Sequence, residues 1–216
     1  MKNFFRLGLA AMALTLFFNA FAATETKAQG VLNEILKKME AHRSALTSLR
    51  ANVTMVKTDS VLGENDTYEG AASYLPAKGR DALIRIDWSK PAQESLAVVG
   101  GQYVIYRPRL QQALTGSAKD ARGGGKANGA LSFMNMSKAQ LQANYTVKYL
   151  GQANVAGGIP TWHLELTPKT AQKYKSAELW VDGNGMPVQA KVVENNNDTT
   201  TVLLSNLQKN VTLNAS

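Results

Sequence analysis

His42 and His163 are the only imidazoles in this 216-residue chain, and cysteine is absent. A histidine works as a general base only beside an orienting partner and a nucleophile. His42 falls in a stretch with helical spacing and His163 in an alternating stretch beside Trp162. Neither has such partners nearby in sequence, and both read as exposed polar residues. The missing cysteines remove disulfides, thiolate nucleophiles, zinc–thiolate sites and iron–sulfur clusters together. No HExxH, GxSxG or clustered metal-ligand pattern occurs. Carboxylates are sparse. Asp87 and Glu94 flank Pro91, Glu165 and Glu178 lie on strand-like stretches, and nothing selects a glycosidase pair. Gly125-Lys126 ends like a phosphate loop, but Asp120 and Ala127 stand where a glycine and a magnesium-binding hydroxyl are needed. The residues predict no enzyme, no metal site and no cofactor.

The chemistry that remains is apolar. Ile84, Ile86, Trp88, Leu96, Val98, Trp162, Leu164, Leu166, Leu179 and Val181 all fall on one side of alternating stretches. A curved sheet covered by few helices can enclose more volume than its own side chains fill, and such a face then holds an apolar ligand. Met134 and Met136 lie close to Leu131 and Phe133, and methionine adapts to variable apolar partners.

The elements that present this face follow from the hydrophobic period. From Ala28 to Leu49 the apolar residues Val31, Leu32, Ile35, Leu36, Met39, Ala45, Leu46 and Leu49 keep helical spacing. After Leu49 the period becomes two. Strands are expected at 51–55, Thr67–Leu75, Ala82–Trp88, Glu94–Val99, Tyr103–Arg107 and Thr146–Gly151. Further strands are expected around Trp162–Leu166, Ala177–Val181, Val188–Val192, Thr200–Leu204 and Gln208–Leu213. Gly100-Gly101 and Asp182-Gly183-Asn184-Gly185 mark hairpins. Arg109–Leu114 and Lys138–Ala143 read as short helices around a Gly-rich loop from Gly116 to Gly129. No helix alternates regularly with the strands, so a doubly wound parallel fold is disfavoured. The expected fold class is α+β, mainly antiparallel β. Ten or eleven strands would form one strongly curved sheet, with the N-terminal helix and short helices across one face.

Composition limits the setting. Apolar residues make up 44% and charged residues 19%, which excludes a disordered chain or a charged tail protein. Lys2 and Arg6, an apolar run from Leu7 to Phe21, and Ala20-Phe21-Ala22 form a secretory leader. Residues 1–22 are expected to be a signal peptide and 23–216 a single domain. Losing Lys2 and Arg6 would take the net charge from +8 to +6. Such a basic balance can attract nucleic acid, anionic membranes or acidic proteins, or mark no more than a soluble basic protein. Tyr103, Tyr106, Arg107 and Arg109 make the nearest approach to a nucleic-acid surface, and it is too weak to predict one.

Several segments, in order, resemble the family of the periplasmic outer-membrane lipoprotein carrier protein, LolA. Arg85-Ile86-Asp87-Trp88-Ser89-Lys90-Pro91 is similar to that family's Arg-Trp-x-x-Pro segment. Leu96–Gly101 and Gln102–Pro108 resemble its valine-rich strand, glycine turn, aromatic strand and Tyr-x-Pro run, with Gln111 and Gln112 after it. Leu164–Lys169, Leu179–Asp182 with Pro187, and Asn206–Asn210 look like its later strand, hairpin and closing turn.

The resemblance implies an incomplete, half-open β-barrel covered by helices, with a cavity for lipoprotein acyl chains. It implies a monomeric periplasmic carrier that takes acylated cargo from an inner-membrane ABC transporter to an outer-membrane acceptor. Contact with membrane proteins would be transient, and the carrier itself would do no covalent chemistry. Val104, Tyr106 and Met134 then join Ile84, Ile86, Trp88, Leu96, Val98, Trp162, Leu164, Leu166 and Leu179 as expected cavity residues. Arg107 and Arg109 become the expected partner-docking residues. Two or three long chains, at about 0.8 kcal/mol per buried methylene, would hold cargo tightly. The family often ties its helical lid with an Arg before the proline of the second strand, where this chain has Leu75 before Pro76. The absent N-terminal cysteine sets the chain apart from a lipoprotein acceptor of the same fold. A lipid-sensing regulator or general lipid-binding envelope protein is the alternative, and such regulators usually carry a further C-terminal domain.

Overall fold

The computed structural model describes residues 28–76, 82–117, 132–134 and 136–213. The expected leader and its cleavage site lie outside these residues, as does the Gly-rich loop beyond Ser117. Helix α1 spans residues 28–45. Eleven strands follow: β1 (Leu49–Thr58), β2 (Asn65–Leu75), β3 (Leu83–Lys90), β4 (Glu94–Val99), β5 (Gln102–Arg107), β6 (Gln112–Ser117), β7 (Tyr145–Val155), β8 (Ile159–Pro168), β9 (Tyr174–Asp182), β10 (Pro187–Glu194) and β11 (Thr199–Lys209). A helical turn at 132–134 and helix α2 (Lys138–Asn144) precede β7.

All strands join one antiparallel sheet in the order β6-β5-β4-β3-β2-β1-β11-β10-β9-β8-β7. Strands β6 and β7 end the order without pairing with each other, so the barrel stays half open. Each neighbour in the first half is joined by a short connection, and the expected Gly100-Gly101 hairpin joins β4 to β5. The β1–β11 pairing joins the two halves from opposite ends of the sequence.

The pleat sorts the side chains. Leu49, Ala51, Val53 and Met55 of β1 face the same side as Ala72, Ile86, Trp88, Leu96 and Ile105 across β2 to β5. Leu164, Leu166, Leu179, Val181, Ala190, Val202 and Leu204 continue it on the other half. Full burial of such an aliphatic side chain contributes about 1.5–3 kcal/mol, so this concave face is the core.

Helix α1 lies across it. Leu32, Ile35, Leu36 and Met39 are its buried stripe, with the i, i+3, i+4, i+7 spacing of an amphipathic helix. The helix comes so close to the β9–β10 turn that a Cβ on Gly185, where φ is +84°, would stand 2.4 Å from the Lys38 backbone carbonyl. Its far end is pinned to the end of β11. The Thr47 N–H donates to Asn210 Oδ1 at 2.8 Å, and the Asn210 N–H donates to the Ser48 carbonyl at 2.9 Å. Helix α2 is capped by Ser137 and Gln140 in a reciprocal capping box.

Three sequence expectations change. The helix expected through Leu49 ends at residue 45, because Leu49 already belongs to β1 and faces inward with the period of the strand. Arg109–Leu114 is not a helix. Pro108–Leu110 makes one 3-10 turn, and Gln112–Ser117 pairs with β5 as an edge strand. Thr200–Leu204 and Gln208–Leu213 are not two strands. They share β11, which ends at Lys209 and carries a bulge opposite Arg50–Asn52, where Asn206 takes a φ of 50°.

Candidate functional site

Between α1, the helical segments at 132–140 and the concave face lies a cavity of about 470 Å³. Helix α1 contributes Met39, His42 and Arg43, and the corner after it adds Leu46. The sheet supplies Leu49, Ala72, Tyr74, Ile84, Val98, Pro187 and Leu204, and the β9–β10 connection supplies Met186. Met134, Met136 and Gln140 close the remaining side. Four of the chain's seven methionines stand on this wall, which gives it an adaptable apolar lining. A volume of this size falls in the range of about 300–1,000 Å³ typical of small-ligand sites and suits a long acyl chain.

The polar groups gather at one rim. Arg43, about two-fifths exposed, donates from a guanidinium nitrogen to Glu40 Oε1 at 2.5 Å. The other carboxylate oxygen of Glu40 accepts from the Lys138 backbone N–H at 3.0 Å. That bond ties α1 to the start of α2. The Arg43 hydrogen bond, helped by the Lys138 N–H, holds the Glu40 carboxyl below its ordinary range. His42 sits one residue before Arg43. Burial, aided by the Lys209 charge and opposed by Asp182, lowers its pKa, so the imidazole is neutral at neutral pH. Its Nε2 is buried and has no hydrogen-bond partner among the described residues.

Of the residues expected at the cavity, Ile84, Val98 and Met134 lie on its wall. Ile86, Trp88, Leu96, Leu164, Leu166 and Leu179 share the concave face but are packed into the core, Ile86 with no exposure at all. Trp162 is half-buried on the same face, with the Lys38 ammonium 5.1 Å from its ring centroid. Val104 and Tyr106 are corrections. Ile105 is the inward residue of β5, so its neighbours point to the convex face, 40% and 47% exposed. Arg107 donates to Glu94 at 2.7 Å, and Arg109 is exposed in the 3-10 turn.

Met136, noted in the sequence beside Met134 for its adaptability, also lies on the wall, whereas Met39, His42, Arg43 and Met186 carry no sequence signal of their own that marks them as cavity residues. The methionine content was the available signal. His163, expected to be an exposed polar residue, is largely covered. It stands on the convex face, stacked on Trp180 at 4.3 Å and hydrogen-bonded to Glu178 Oε2 at 2.7 Å. Among the described residues no cluster of His, Asp and Glu is arranged to hold a metal, and no helix is long and apolar enough to cross a membrane.

An open, curved antiparallel sheet with an apolar cavity beneath its helices defines the half-open barrel class. The family model of the outer membrane lipoprotein carrier protein LolA matches residues 79–216, and the chain belongs to that family. Solved structures share the fold at low identity. LprF from Mycobacterium bovis matches with a TM-score of 0.50 and 13% identity, over 84% of this chain and 94% of that one. MucB, known also in the Pseudomonas aeruginosa MucA/MucB complex, matches with 0.52 and 16% identity over 85% of this chain, which spans 60% of the MucB length. A putative outer membrane lipoprotein-sorting protein domain from Vibrio parahaemolyticus matches with 0.45 and 14% identity, over 84% of this chain and 93% of that one. No curated protein sequence matches.

Proposed function

We propose that this protein is a periplasmic carrier that encloses an acyl chain of a lipoprotein and moves the cargo from the inner to the outer membrane. The observation that carries the reading is the apolar, methionine-rich cavity of about 470 Å³ in a member of the lipoprotein carrier family. Residues 1–22 act as the export leader and residues 23–216 form the carrier domain. Cargo arrives from an inner-membrane ABC transporter and leaves to an outer-membrane acceptor, with Arg107 and Arg109 helping the basic carrier meet acidic partner surfaces. The carrier works as a monomer without a cofactor, and transfer is driven by differential affinity of the successive cavities.

The test is a displacement titration. Delipidated protein is loaded with a fluorescent apolar probe and titrated with a triacylated lipopeptide and, in parallel, with a phospholipid. Selective displacement by the lipopeptide supports lipoprotein carriage. Equal displacement makes the protein a general lipid binder of the envelope. Failure of the probe to bind contradicts both.

A further inference from the structure

The sheet has two free edges, and the sequence treats them differently. Strand β7 carries the exposed Lys148 and a register shift between Tyr149 and Gly151, where Gly151 takes a φ of +119°. A charge and a bulge are common means of keeping a foreign strand off an edge. Strand β6 has neither a charged residue nor a proline, and it pairs with β5 in one unbroken register. Among the described residues, Gln112 to Gly116 pair with β5 alone. Their backbone groups that turn the other way are open to a further strand. The side chains leave room for one. Ala113 and Thr115 are small, and Leu114 stands opposite Ile105 on the concave side, 42% exposed at the edge. Gly116 is bare because Tyr103 lies over it, its hydroxyl oxygen 2.7 Å from where a Cβ would stand. The open edge also meets the cavity. Ser117 is paired with Gln102, the neighbour of Gly101 on the cavity wall. From there back to Gln112 the edge is six residues long, about 20 Å. A lipoprotein carries its lipid on its first residue, so with an acyl chain in the cavity the following residues leave past this wall. An uncharged edge suits an uncharged, extended segment, and strand addition holds such a segment through main-chain bonds.

We infer that the extended segment next to the lipidated residue of the cargo adds to the sheet as a strand beside β6, while the acyl chain fills the cavity. The inference rests on the acyl-chain reading of the cavity and adds the part of the cargo polypeptide that is recognised. The cargo chain starts near Ser117 and runs toward Gln112, so it lies antiparallel to β6. Recognition is through backbone N–H and carbonyl groups, with a cargo side chain covering Leu114. No covalent step is involved.

The test uses tripalmitoylated cysteine joined to an uncharged peptide as long as β6. Two further versions carry N-methyl groups on alternate residues, one on the odd residues and the other on the even ones. Successive amides of a strand point to opposite edges, so only one version blocks the bonds to β6. That version should displace a fluorescent apolar probe from the delipidated protein at least about tenfold less well, the loss of several backbone hydrogen bonds, and the other should match the parent lipopeptide. Amide exchange gives a second reading on the wild-type protein. The β6 amides turned away from β5 should slow at least about tenfold with the parent lipopeptide and stay unchanged with tripalmitoylated cysteine methyl ester. Equal affinity of the two methylated versions, or no slowing in β6, overturns the strand pairing and leaves the cavity reading intact. Slow exchange of the same amides in the lipid-free protein overturns it too, because the edge is then already covered. If that slowing rises with protein concentration, the cover is a second copy of this chain. If neither lipopeptide nor methyl ester displaces a bound probe, the acyl-chain reading fails and this inference fails with it.

Discussion

Placing a carboxylate on the cavity wall separates the two faces of the sheet. Ile84 is partly buried, paired across the concave face with Tyr74 on one side and Val98 on the other, and it lines the cavity. Because Ile84 is only partly buried, a carboxylate there can reach solvent in the unliganded protein, and Ile84→Glu should keep the fold. A bound chain would have to strip water from the carboxylate. The neighbouring Arg85 is turned to the other face and paired with Asp87 at 2.8 Å, and Arg43 is paired with Glu40 at 2.5 Å. An unpaired polar group costs at least about 1–3 kcal/mol on burial, and the lost apolar contact adds about 1–2 kcal/mol. A total of about 3 kcal/mol is more than a hundredfold in affinity. Probe displacement by a triacylated lipopeptide measures it, with circular dichroism melting to confirm the fold. Val104→Glu, on the convex face, should bind as the wild type does. Wild-type affinity in folded Ile84→Glu, or lost binding in Val104→Glu, would put the acyl chain somewhere other than the concave cavity. Ile86 is a poor site for the same charge, because it has no exposure and its substitution tests the core rather than the cavity.

Gly185→Val should destabilise the protein by about 3 kcal/mol, because positive φ and overpacking against α1 each cost about 1–3 kcal/mol; thermal melting should fall by roughly 10 °C. Glu40→Ala removes the carboxylate that accepts from the Lys138 N–H, so amide exchange in α2 should speed by about fivefold while β1 and β11 stay protected. Unchanged exchange there would mean that the capping box alone holds α2. His42 has a folded-state pKa below its unfolded value, through burial and then Lys209, with Asp182 opposing. The unfolded chain therefore binds the proton first as pH drops through about 6.5, and stability is lost from there down to the folded-state pKa. His42→Phe should lose less melting temperature than the wild type between neutral pH and that lower range. An identical loss would place the acid sensitivity elsewhere.

The concave face was legible wherever alternation was strong. Ile84, Ile86 and Trp88, or Leu164 and Leu166, announce both strand and face, because a period of two with one apolar side has no other stable use in a half-buried sheet. Edges and corners were harder. Strand β6 is exposed over most of its length and paired only with β5, so burial left no apolar alternation to read. Leu46 and Leu49 fit helical spacing although the helix ends before them, since both turn inward at the corner for reasons of packing. Asn206 resembled a break because a left-handed Asn suits a turn as well as a bulge. The resemblance puts Val104 and Tyr106 at the cavity, while the parity of β5 is set by Ile105, packed against Leu96 across the ladder. The apolar face was thus visible in sequence, but the split between packed core and open cavity was not. That split depends on how far α1 and the segment at 132–140 stand off the sheet, a distance that no local pattern encodes.

The proposed carrier holds an acyl chain between α1 and the concave face. Photo-crosslinking reads this directly, with a triacylated lipopeptide carrying a diazirine within one acyl chain and mass spectrometry to map the adducts. Adducts are expected on cavity residues such as Met39, Ile84, Met134 and Met186. Adducts confined to Val104, Tyr106 and the rest of the convex face would contradict that placement.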